Sequence, residues 1–395
     1  MRILHVLTYY RPHTSGLTIY VERLARASAG RGHQVTVLTS QYEPSLSRLE
    51  VSPDGVAVVR VPVLARVSKG VLMPSFGLVA TRLVHHHDVV HLHLPQLDAA
   101  GVALRGRLLG RPTLITYHCD LTLPPGLVNR LANRVVQVAN RLAASLADRV
   151  VTYTRDYAES SPFLSSYRAK LEVVAPPVEL PAASREAVRD LGQRFNPDRH
   201  RPVIGMAARL AADKGVSVLL DALPALFERH PRALVLFAGQ HLDVLGERAT
   251  WEQVAPRIGE LQRQGRWHFA GVLDAAEMAA FYPNLDLLVV PSLNATESFG
   301  LVQVEAMMSG VPVVASDLPG VRQPVRMTGM GLIAPVGDPA GLADAVLRVL
   351  ERPADFAGDP AAVRGRYTAD ACAAAYERLF ARLLTARRRG TLGPS

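Results

Sequence analysis

Two glutamates lie eight residues apart in a segment whose residue types suit the binding of a phosphorylated sugar. Glu297 precedes, and Glu305 lies within, a predicted helix that follows an apolar strand and ends at Gly310. A carboxylate accepts two hydrogen bonds and so suits vicinal sugar hydroxyls. The unpaired amides at the helix start, from Gly300 to Val302, favour an anion such as a phosphate. The segment therefore predicts a site for one elongated ligand.

Two cations follow an earlier predicted strand. Arg209 lies just past the strand, and Lys214 lies at the start of the next helix. A cation at a helix N-terminus is electrostatically unfavourable, and a bound diphosphate would remove that conflict. Arginine offers a bidentate fork and lysine a mobile point charge, so the pair suits a leaving diphosphate.

The N-terminal half adds residues at its own strand ends. Gly16 follows the first strand and permits close approach of a ligand to the backbone. His118 and Asp120 end a later strand, where His118 is a candidate to contact a transferred sugar and Asp120 to orient it or the acceptor. His93 shares a strand face with His91. We expect that face to line an acceptor pocket, with a metal site as the alternative.

Each of these residues also has an ordinary explanation as a helix-start acid, a surface ion pair, a turn glycine or a buried histidine. Their joint occurrence at strand ends favours a functional site. The run 85–87 of three histidines is expected to be an exposed helix end, because adjacent helical residues do not share a face.

Apolar strands alternate with helical segments along the whole chain, which predicts α/β structure with parallel sheets covered on both faces. The pattern stops at a proline pair and a polar stretch near residue 180 and then restarts. We therefore predict two Rossmann-like domains facing across a cleft, with ligands at the carboxyl ends of the strands. The predicted limits are 1–180 for acceptor binding, 181–370 for donor binding, and 371–395 for a helix.

Composition narrows the functional class. The 395 residues carry a formal charge of +9, and residues 1–180 hold 20 basic and 12 acidic residues, a net of 20 − 12 = +8. No arginine cluster is interleaved with aromatic residues, so nucleic acid is not an expected partner. A peripheral contact with the anionic inner face of a membrane is one interpretation of the basic half, and a solvated basic face is the other.

Two distant cysteines and no signal or membrane-spanning pattern predict a cytoplasmic protein.

The sequence resembles glycosyltransferase family 4, which comprises retaining enzymes of the fold called GT-B. The strongest match is Glu-Ser-Phe-Gly-Leu-Val-Gln-Val-Glu-Ala-Met at 297–307, continuing to Gly-Val-Pro-Val-Val-Ala at 310–315. Arg209 with Lys214-Gly215 comes next, followed by Gly-Leu-Ile at 331–333. The N-terminal half matches more loosely, through Asp-Val-Val-His-Leu-His at 88–93.

The resemblance implies a role for each matching residue. Glu297 would contact the donor sugar, Glu305 the ribose hydroxyls, and Arg209 with Lys214 the diphosphate. Amides of Phe299, Gly300 and Leu301 would contact sugar and phosphate, and the backbone at Val272 would meet the base. The final helix would return to the N-terminal domain. Two departures are Ser15, where the family often has a second glycine, and Gln323, where it often has a glutamate.

The expected activity is metal-independent hexosyl transfer, with retention of anomeric configuration, from a UDP-, GDP- or ADP-sugar to a glycan, glycolipid or small-molecule acceptor. No cofactor is expected, because the chain has no Asp-x-Asp motif to hold a divalent ion. A nucleotide-sugar epimerase of the same fold and a non-catalytic nucleotide-sugar binder remain alternatives. An epimerase would need no acceptor, and a binder would show no turnover.

Overall fold

The computed structural model describes residues 1–67, 70–120, 127–244 and 246–389. The chain forms two compact units: unit 1 comprises residues 1–178 and 367–395, and unit 2 comprises residues 179–366. Residues 390–395, the end of the segment predicted as a final helix, lie outside the described residues. Among the helices that the structure describes, none has the length and apolar character needed to cross a membrane.

Unit 1 is built on one eight-stranded sheet and a separate hairpin. Its strands are β1 (Arg2–Val6), β2 (Gln34–Gln41), β3 (Leu49–Val51), β4 (Ala57–Pro62), β5 (Ala65–Val67), β6 (Gly70–Leu72), β7 (Val89–Leu94), β8 (Thr113–Tyr117), β9 (Arg149–Thr152) and β10 (Leu171–Val173). The helices that follow one another in this unit are α1 (Gly16–Gly30), α2 (Phe76–His86), α3 (Ala99–Leu108), α4 (Leu127–Leu146) and α5 (Arg155–Ser160).

The strand order of the large sheet is β10-β9-β8-β7-β1-β2-β4-β3, parallel except for β3 against β4. From β1 to β2 the chain moves toward one edge of the sheet. From β4 to β7, from β7 to β8 and from β8 to β9 it moves toward the other edge. Because such crossovers are right-handed, α1 covers one face of the sheet and α2, α3 and α4 cover the other. The strands β5 and β6 pair only with each other.

Unit 2 has one six-stranded parallel sheet of order β13-β12-β11-β14-β15-β16. Its strands are β11 (Val203–Ala207), β12 (Leu234–Ala238), β13 (Trp267–Gly271), β14 (Leu287–Val290), β15 (Val313–Ser316) and β16 (Gly331–Ala334). The helices are α6 (Arg185–Phe195), α7 (Val216–Arg229), α8 (Arg248–Arg263), α9 (Ala275–Phe281), α10 (Leu301–Met308), α11 (Gln323–Thr328), α12 (Pro339–Glu351) and α13 (Pro360–Arg366). The strand order reverses between β11 and β14, and ligands of open α/β sheets bind at such a switch point.

The last helix, α14 (Ala369–Arg388), belongs to unit 1 and packs on α1. The buried hydroxyls of Tyr20 and Tyr376 are hydrogen-bonded at 2.7 Å. At the edge of the same contact, Arg31 makes ion pairs with Asp370 and Glu377 at 2.8 and 2.7 Å. These contacts tie α14 to the sheet face that α1 covers.

Four histidines form a buried row in the core of unit 1, across the neighbouring strands β1, β7 and β8. The His5 Nδ1 and His93 Nε2 atoms share a hydrogen bond of 3.0 Å, as do His93 Nδ1 and His118 Nε2. His91 Nε2 bonds the hydroxyl of Thr116 at 2.7 Å. Burial lowers the pKa of His5 and of His118 to about 3 and puts the pKa values of His91 and His93 well below the usual range. All four are therefore neutral in the folded protein near neutral pH.

This row predicts that unit 1 loses stability in mild acid. The unfolded chain binds protons on these histidines below about pH 6.5, whereas the folded chain stays neutral, so their contribution is full above that pH and falls as the pH drops toward 3. Each histidine contributes a slope of up to about 1.4 kcal/mol per pH unit. Urea unfolding at about pH 7.5 and 5.5 measures this change in the free energy of unfolding with pH. His91→Asn should flatten the slope and the exposed control His85→Asn should not; equal slopes in all three proteins would contradict this account.

Candidate functional site

The loops after β11 and β14 lie against each other at the carboxyl ends of these neighbouring strands. The amide of Leu293 donates to the carbonyl of Asp213 at 2.9 Å. Gly215 has a left-handed backbone with φ +72°, and a Cβ there would come within 1.9 Å of the Pro291 carbonyl oxygen. Only glycine allows this approach, so the close packing of the two loops explains the glycine after Lys214.

Lys214 connects the same two loops through its side chain. Its Nζ atom lies 2.9 Å from a carboxylate oxygen of Glu297 and 3.2 Å from one of Asp213. The side chain is only 15% exposed. Burial by itself lowers the pKa of Lys214, but the two carboxylates outweigh it, and the pKa is raised above its ordinary value. Lys214 is therefore a fixed cation at the strand switch point.

The structure corrects one part of the sequence argument for Lys214. The conflict expected between this cation and a helix N-terminus is already removed by Asp213 and Glu297, without a diphosphate. Lys214 also ends a short 3-10 turn, Ala212–Lys214, and α7 begins only at Val216. The lysine thus lies beside the helix start rather than in its first turn.

Arg209 differs from Lys214 in being exposed. It lies in the same loop, two residues after the end of β11, and its guanidinium makes no hydrogen bond or ion pair with any residue that the structure describes. The five N–H donors of its guanidinium are therefore open to solvent, in the loop that also carries Lys214. Such a group can bind a phosphate without first breaking a contact within the protein.

The start of α10 offers backbone donors. Gly300, the residue before the helix, has φ +78°, and its carbonyl already accepts the amide of Gln303 at 3.0 Å. The amides of Leu301 and Val302 have no hydrogen-bond acceptor among the described residues. Phe299 is 2% exposed, and the Gln303 side chain donates to its carbonyl at 2.8 Å. Packing thus holds the helix start in place, with donors suited to an anion.

Glu305 lies one further turn along α10 and is largely buried. Its carboxylate accepts a hydrogen bond from the Tyr282 hydroxyl at 2.8 Å. Tyr282 has no exposed surface and follows α9. The tyrosine therefore fixes the orientation of this carboxylate, which is an acceptor of hydrogen bonds when ionised.

A small cavity of about 20 Å³ lies among these residues, lined by Met206, Ala207, Ala208, Lys214, Val289, Val290, Pro291, Ser292, Glu297 and Val302. That volume holds about one water molecule. Most of any larger ligand has to lie outside it.

Val272, expected near the base, is 67% exposed and follows Gly271 at the end of the edge strand β13.

Two predicted site residues of unit 1, Gly16 and Asp120, have different surroundings. Gly16 is the first residue of α1, and the space around its missing Cβ is open, so the packing does not itself require glycine there. Ser15, the departure from paired glycines, caps α1 by accepting the amide of Thr18 at 3.2 Å. Asp120 accepts the hydroxyls of Tyr117 and Ser161 at 2.8 and 3.0 Å.

His93 and His118 are more enclosed than the sequence suggested. His93 is fully buried, and both of its ring nitrogens bond other histidines. His118 is 5% exposed, and its Nδ1 atom contacts the hydroxyl of Tyr153. Any ligand contact by His118 nitrogens therefore needs one of these partners to be released. Of the histidine run, His85 and His86 are exposed as expected, but His87 is buried against Thr36.

Nitrogens of His5, His91 and His93 lie within 4.8 Å of one another, which is close enough to consider a metal ion. Both nitrogens of His93 already have hydrogen-bond partners, so we interpret the group as part of the histidine row. Four residues of these arrangements were not predicted from the sequence: His5 and Tyr153 in this row, and Asp213 and Tyr282 in unit 2. Asp213 stood next to Lys214 in the motif, whereas no local signal marked the other three.

Comparisons with known proteins show which family the chain belongs to. The model of the glycosyl transferases group 1 matches residues 201–352, and that of a glycosyl transferase 4-like domain matches residues 15–177. The chain is 30% identical to 2-deoxystreptamine N-acetyl-D-glucosaminyltransferase of Streptomyces fradiae, over 92% of this chain and 90% of that one. It is 31% identical to D-inositol 3-phosphate glycosyltransferase of Xylanimonas cellulosilytica, over 93% and 91%. With phosphatidyl-myo-inositol mannosyltransferase of Mycobacterium leprae the identity is 28%, over 89% and 87%.

Solved structures resemble the whole chain in fold. Anabaena HepE in complex with UDP superposes with a TM-score of 0.75 at 19% identity, covering 97% of this chain and 100% of that one. Sucrose-phosphate synthase from Thermosynechococcus elongatus gives 0.76 at 20% identity, covering 98% and 99%. The relatives of 30 and 31% identity, with the two family models, show that the chain belongs to the group 1, or family 4, glycosyltransferases. The solved structures and the two parallel sheets show that it has the GT-B fold.

Proposed function

We propose that this glycosyltransferase moves a hexose from a nucleoside-diphosphate sugar to an acceptor hydroxyl, with retention of configuration and without a metal ion. The observation that supports it most is the cluster at the strand switch point of unit 2. There a fixed lysine, an unpaired arginine and the open amides of α10 lie beside two carboxylates. This combination of cations, amide donors and carboxylates matches a diphosphate joined to two hydroxyl-bearing sugars.

The proposed roles follow from the charge and the hydrogen-bonding chemistry of each group. Arg209 and the amides of Leu301 and Val302 hold the diphosphate, and Lys214 supports it while remaining paired with its carboxylates. Glu305, oriented by Tyr282, accepts the ribose hydroxyls, and Glu297 accepts hydroxyls of the transferred sugar. The exposed backbone at Val272 meets the base. In unit 1, Gly16 and His118 serve the donor sugar, and Asp120 and His93 serve the acceptor, His93 through its bond to His118.

The proposed chemistry is a same-face displacement. The bond between the anomeric carbon and the leaving phosphate oxygen breaks, and a bond from that carbon to the acceptor oxygen forms. The acceptor proton passes to the leaving phosphate, so no protein base is needed. Arg209, Lys214 and the amides of α10 stabilise the charge that develops on the diphosphate. The positive charge of these groups takes the place that a divalent ion has in enzymes with an Asp-x-Asp motif.

Neither the nucleotide nor the acceptor is fixed by the relatives. Their names include a mannosyltransferase, an N-acetylglucosaminyltransferase and a glucosyltransferase, with phosphatidyl-myo-inositol, 2-deoxystreptamine and inositol phosphate among the acceptors named. A suitable assay therefore combines UDP-, GDP- and ADP-hexoses with an inositol lipid, 2-deoxystreptamine and inositol 3-phosphate. It follows release of the nucleoside diphosphate and the anomeric configuration of the product by NMR.

We predict that Arg209→Ala lowers kcat/KM in this assay by roughly a hundredfold or more, because removing one charged donor from a leaving group has an effect of that order. Folding stability should not change, since the exposed guanidinium has no partner to lose. The matched control is Arg185→Ala, an exposed arginine of α6. Unchanged turnover in Arg209→Ala, or an equal loss in the control, would count against the proposed diphosphate site. Sugar conversion without any acceptor would indicate an epimerase.

We also predict that turnover persists in excess EDTA, because fixed protein cations and amides stabilise the leaving diphosphate. The measurement compares initial rates before and after chelation and again after adding Mg²⁺ or Mn²⁺. A rate that collapses in EDTA and returns with either ion would refute the metal-independent mechanism while leaving the donor site intact.

A further inference from the structure

Three helices of unit 1 form a layer without acidic residues. The sequences of α2, α3 and α4 contain no aspartate or glutamate, and α3 packs against both of its neighbours. The stretch 55–147, which includes all three helices, holds ten basic and three acidic residues, a net of 10 − 3 = +7. The three helices themselves hold six arginines and no acidic residue, so this layer carries an excess of positive charge.

The longest of these helices, α4, buries small side chains and exposes large apolar ones. Small side chains, Ala139, Ala143 and Ala144, face the protein and are buried. The large apolar side chains face solvent instead, with exposures of 65, 47, 56 and 53% for Leu131, Val135, Val138 and Leu142. Their spacing of four, three and four residues places them in one continuous stripe along the helix. A surface helix normally turns such a stripe toward the core, so this one is free for a partner.

A row of arginines accompanies the apolar stripe. Arg130, Arg134 and Arg141 are exposed, and at about 100° per residue they fall on one flank of the stripe. Their guanidinium groups make no hydrogen bond or ion pair with the described part of the chain. The neighbouring helices also expose large apolar side chains, with Leu108 of α3 exposed by 75% and Leu78 of α2 by 79%.

We propose that the outer face of α4, together with α3 and α2, is a docking surface for a bilayer that contains anionic lipid. A helix that lies in the membrane interface buries an apolar stripe at the headgroup boundary and places basic residues toward the phosphates. The Leu and Val stripe provides the first element and the unpaired arginines provide the second. Arginine stems are long enough to cover apolar surface while the charged end reaches a phosphate.

A second copy of the chain fits this face poorly. A symmetric dimer brings the same patch of each molecule together. Here that would place Arg130, Arg134 and Arg141 against their own counterparts, with no acidic residue on the layer to pair with them. A surface of negatively charged phosphates removes this repulsion. The charge of the layer therefore favours an anionic lipid surface over self-association.

Vesicle flotation of the full-length protein tests the proposal. We expect binding to equimolar phosphatidylcholine and phosphatidylglycerol vesicles and little or none to phosphatidylcholine alone. Each surface arginine contributes roughly fivefold to partitioning, so the triple variant Arg130→Gln, Arg134→Gln, Arg141→Gln should bind roughly a hundredfold more weakly. Leu131→Ser with Leu142→Ser should also weaken binding to the anionic vesicles. These changes are on the surface, so circular dichroism and thermal unfolding should be unchanged.

The matched control removes the same charge from unit 2, through Arg185→Gln, Arg189→Gln and Arg194→Gln on α6, and should retain full binding. The proposal is overturned if neutral and anionic vesicles bind equally, if neither binds, or if the α4 triple variant and the control behave alike. It is also overturned if sedimentation shows a dimer that the α4 triple variant abolishes. Because no donor or acceptor is present, failure here leaves the proposed transfer reaction untouched.

Discussion

The ion pairs of Lys214 with Glu297 and Asp213 are the interactions on which the proposed donor site depends. A largely buried ammonium group is costly unless opposite charges surround it closely. The lysine follows β11 and Glu297 follows β14, so the two are 83 residues apart in the chain. They meet because β11 and β14 are neighbouring parallel strands, whose carboxyl ends lie at one edge. The sheet order thus sets the charge arrangement, and Gly215 lets the two loops close on each other.

Unit 1 carries a contrasting polar arrangement. Its buried histidines are neutral and bond one another, Thr116 and Tyr153, whereas His5 Nε2 and His91 Nδ1 have no hydrogen-bond partner among the described residues. A buried polar network of this kind stabilises a fold only while its members stay uncharged and paired. The row also holds His118 rigidly at the end of β8. The residue that its place at a strand end predicts to contact a sugar, His118, is therefore also part of the core of unit 1.

Much of the fold could be predicted because its strands are continuous apolar runs. The alternation of apolar runs with helical segments predicted parallel sheets in two α/β units, and both sheets are confirmed. The short β5 and β6 pair outside the main sheet and were missed, since three residues give no periodic signal. In the donor site, residues on strand ends and helix starts could be predicted. The tyrosine that orients Glu305 could not, because the contact joins positions 23 residues apart through side chains alone.

The reversed face of α4 shows a second limit. Sequence periodicity identifies an apolar stripe but not the side of the helix that packs inward. Here alanines at 139, 143 and 144 allow close packing against the protein, which leaves the leucines and valines outside. The direction follows only from the neighbouring elements, among them α3, which packs against α4. The three-dimensional structure was therefore needed to distinguish a core stripe from a docking surface.

The most direct test of the donor site is thermal unfolding with UDP, GDP and ADP. We predict that one nucleotide raises the Tm of the wild type by roughly 5–10 °C at a hundredfold excess over its Kd. The surface control Glu252→Ala should show the same rise, and Glu305→Ala, compared with its own Tm, should show little or none. Equal stabilisation of Glu305→Ala, or no response of the wild type to any of the three nucleotides, would contradict the assignment of this site.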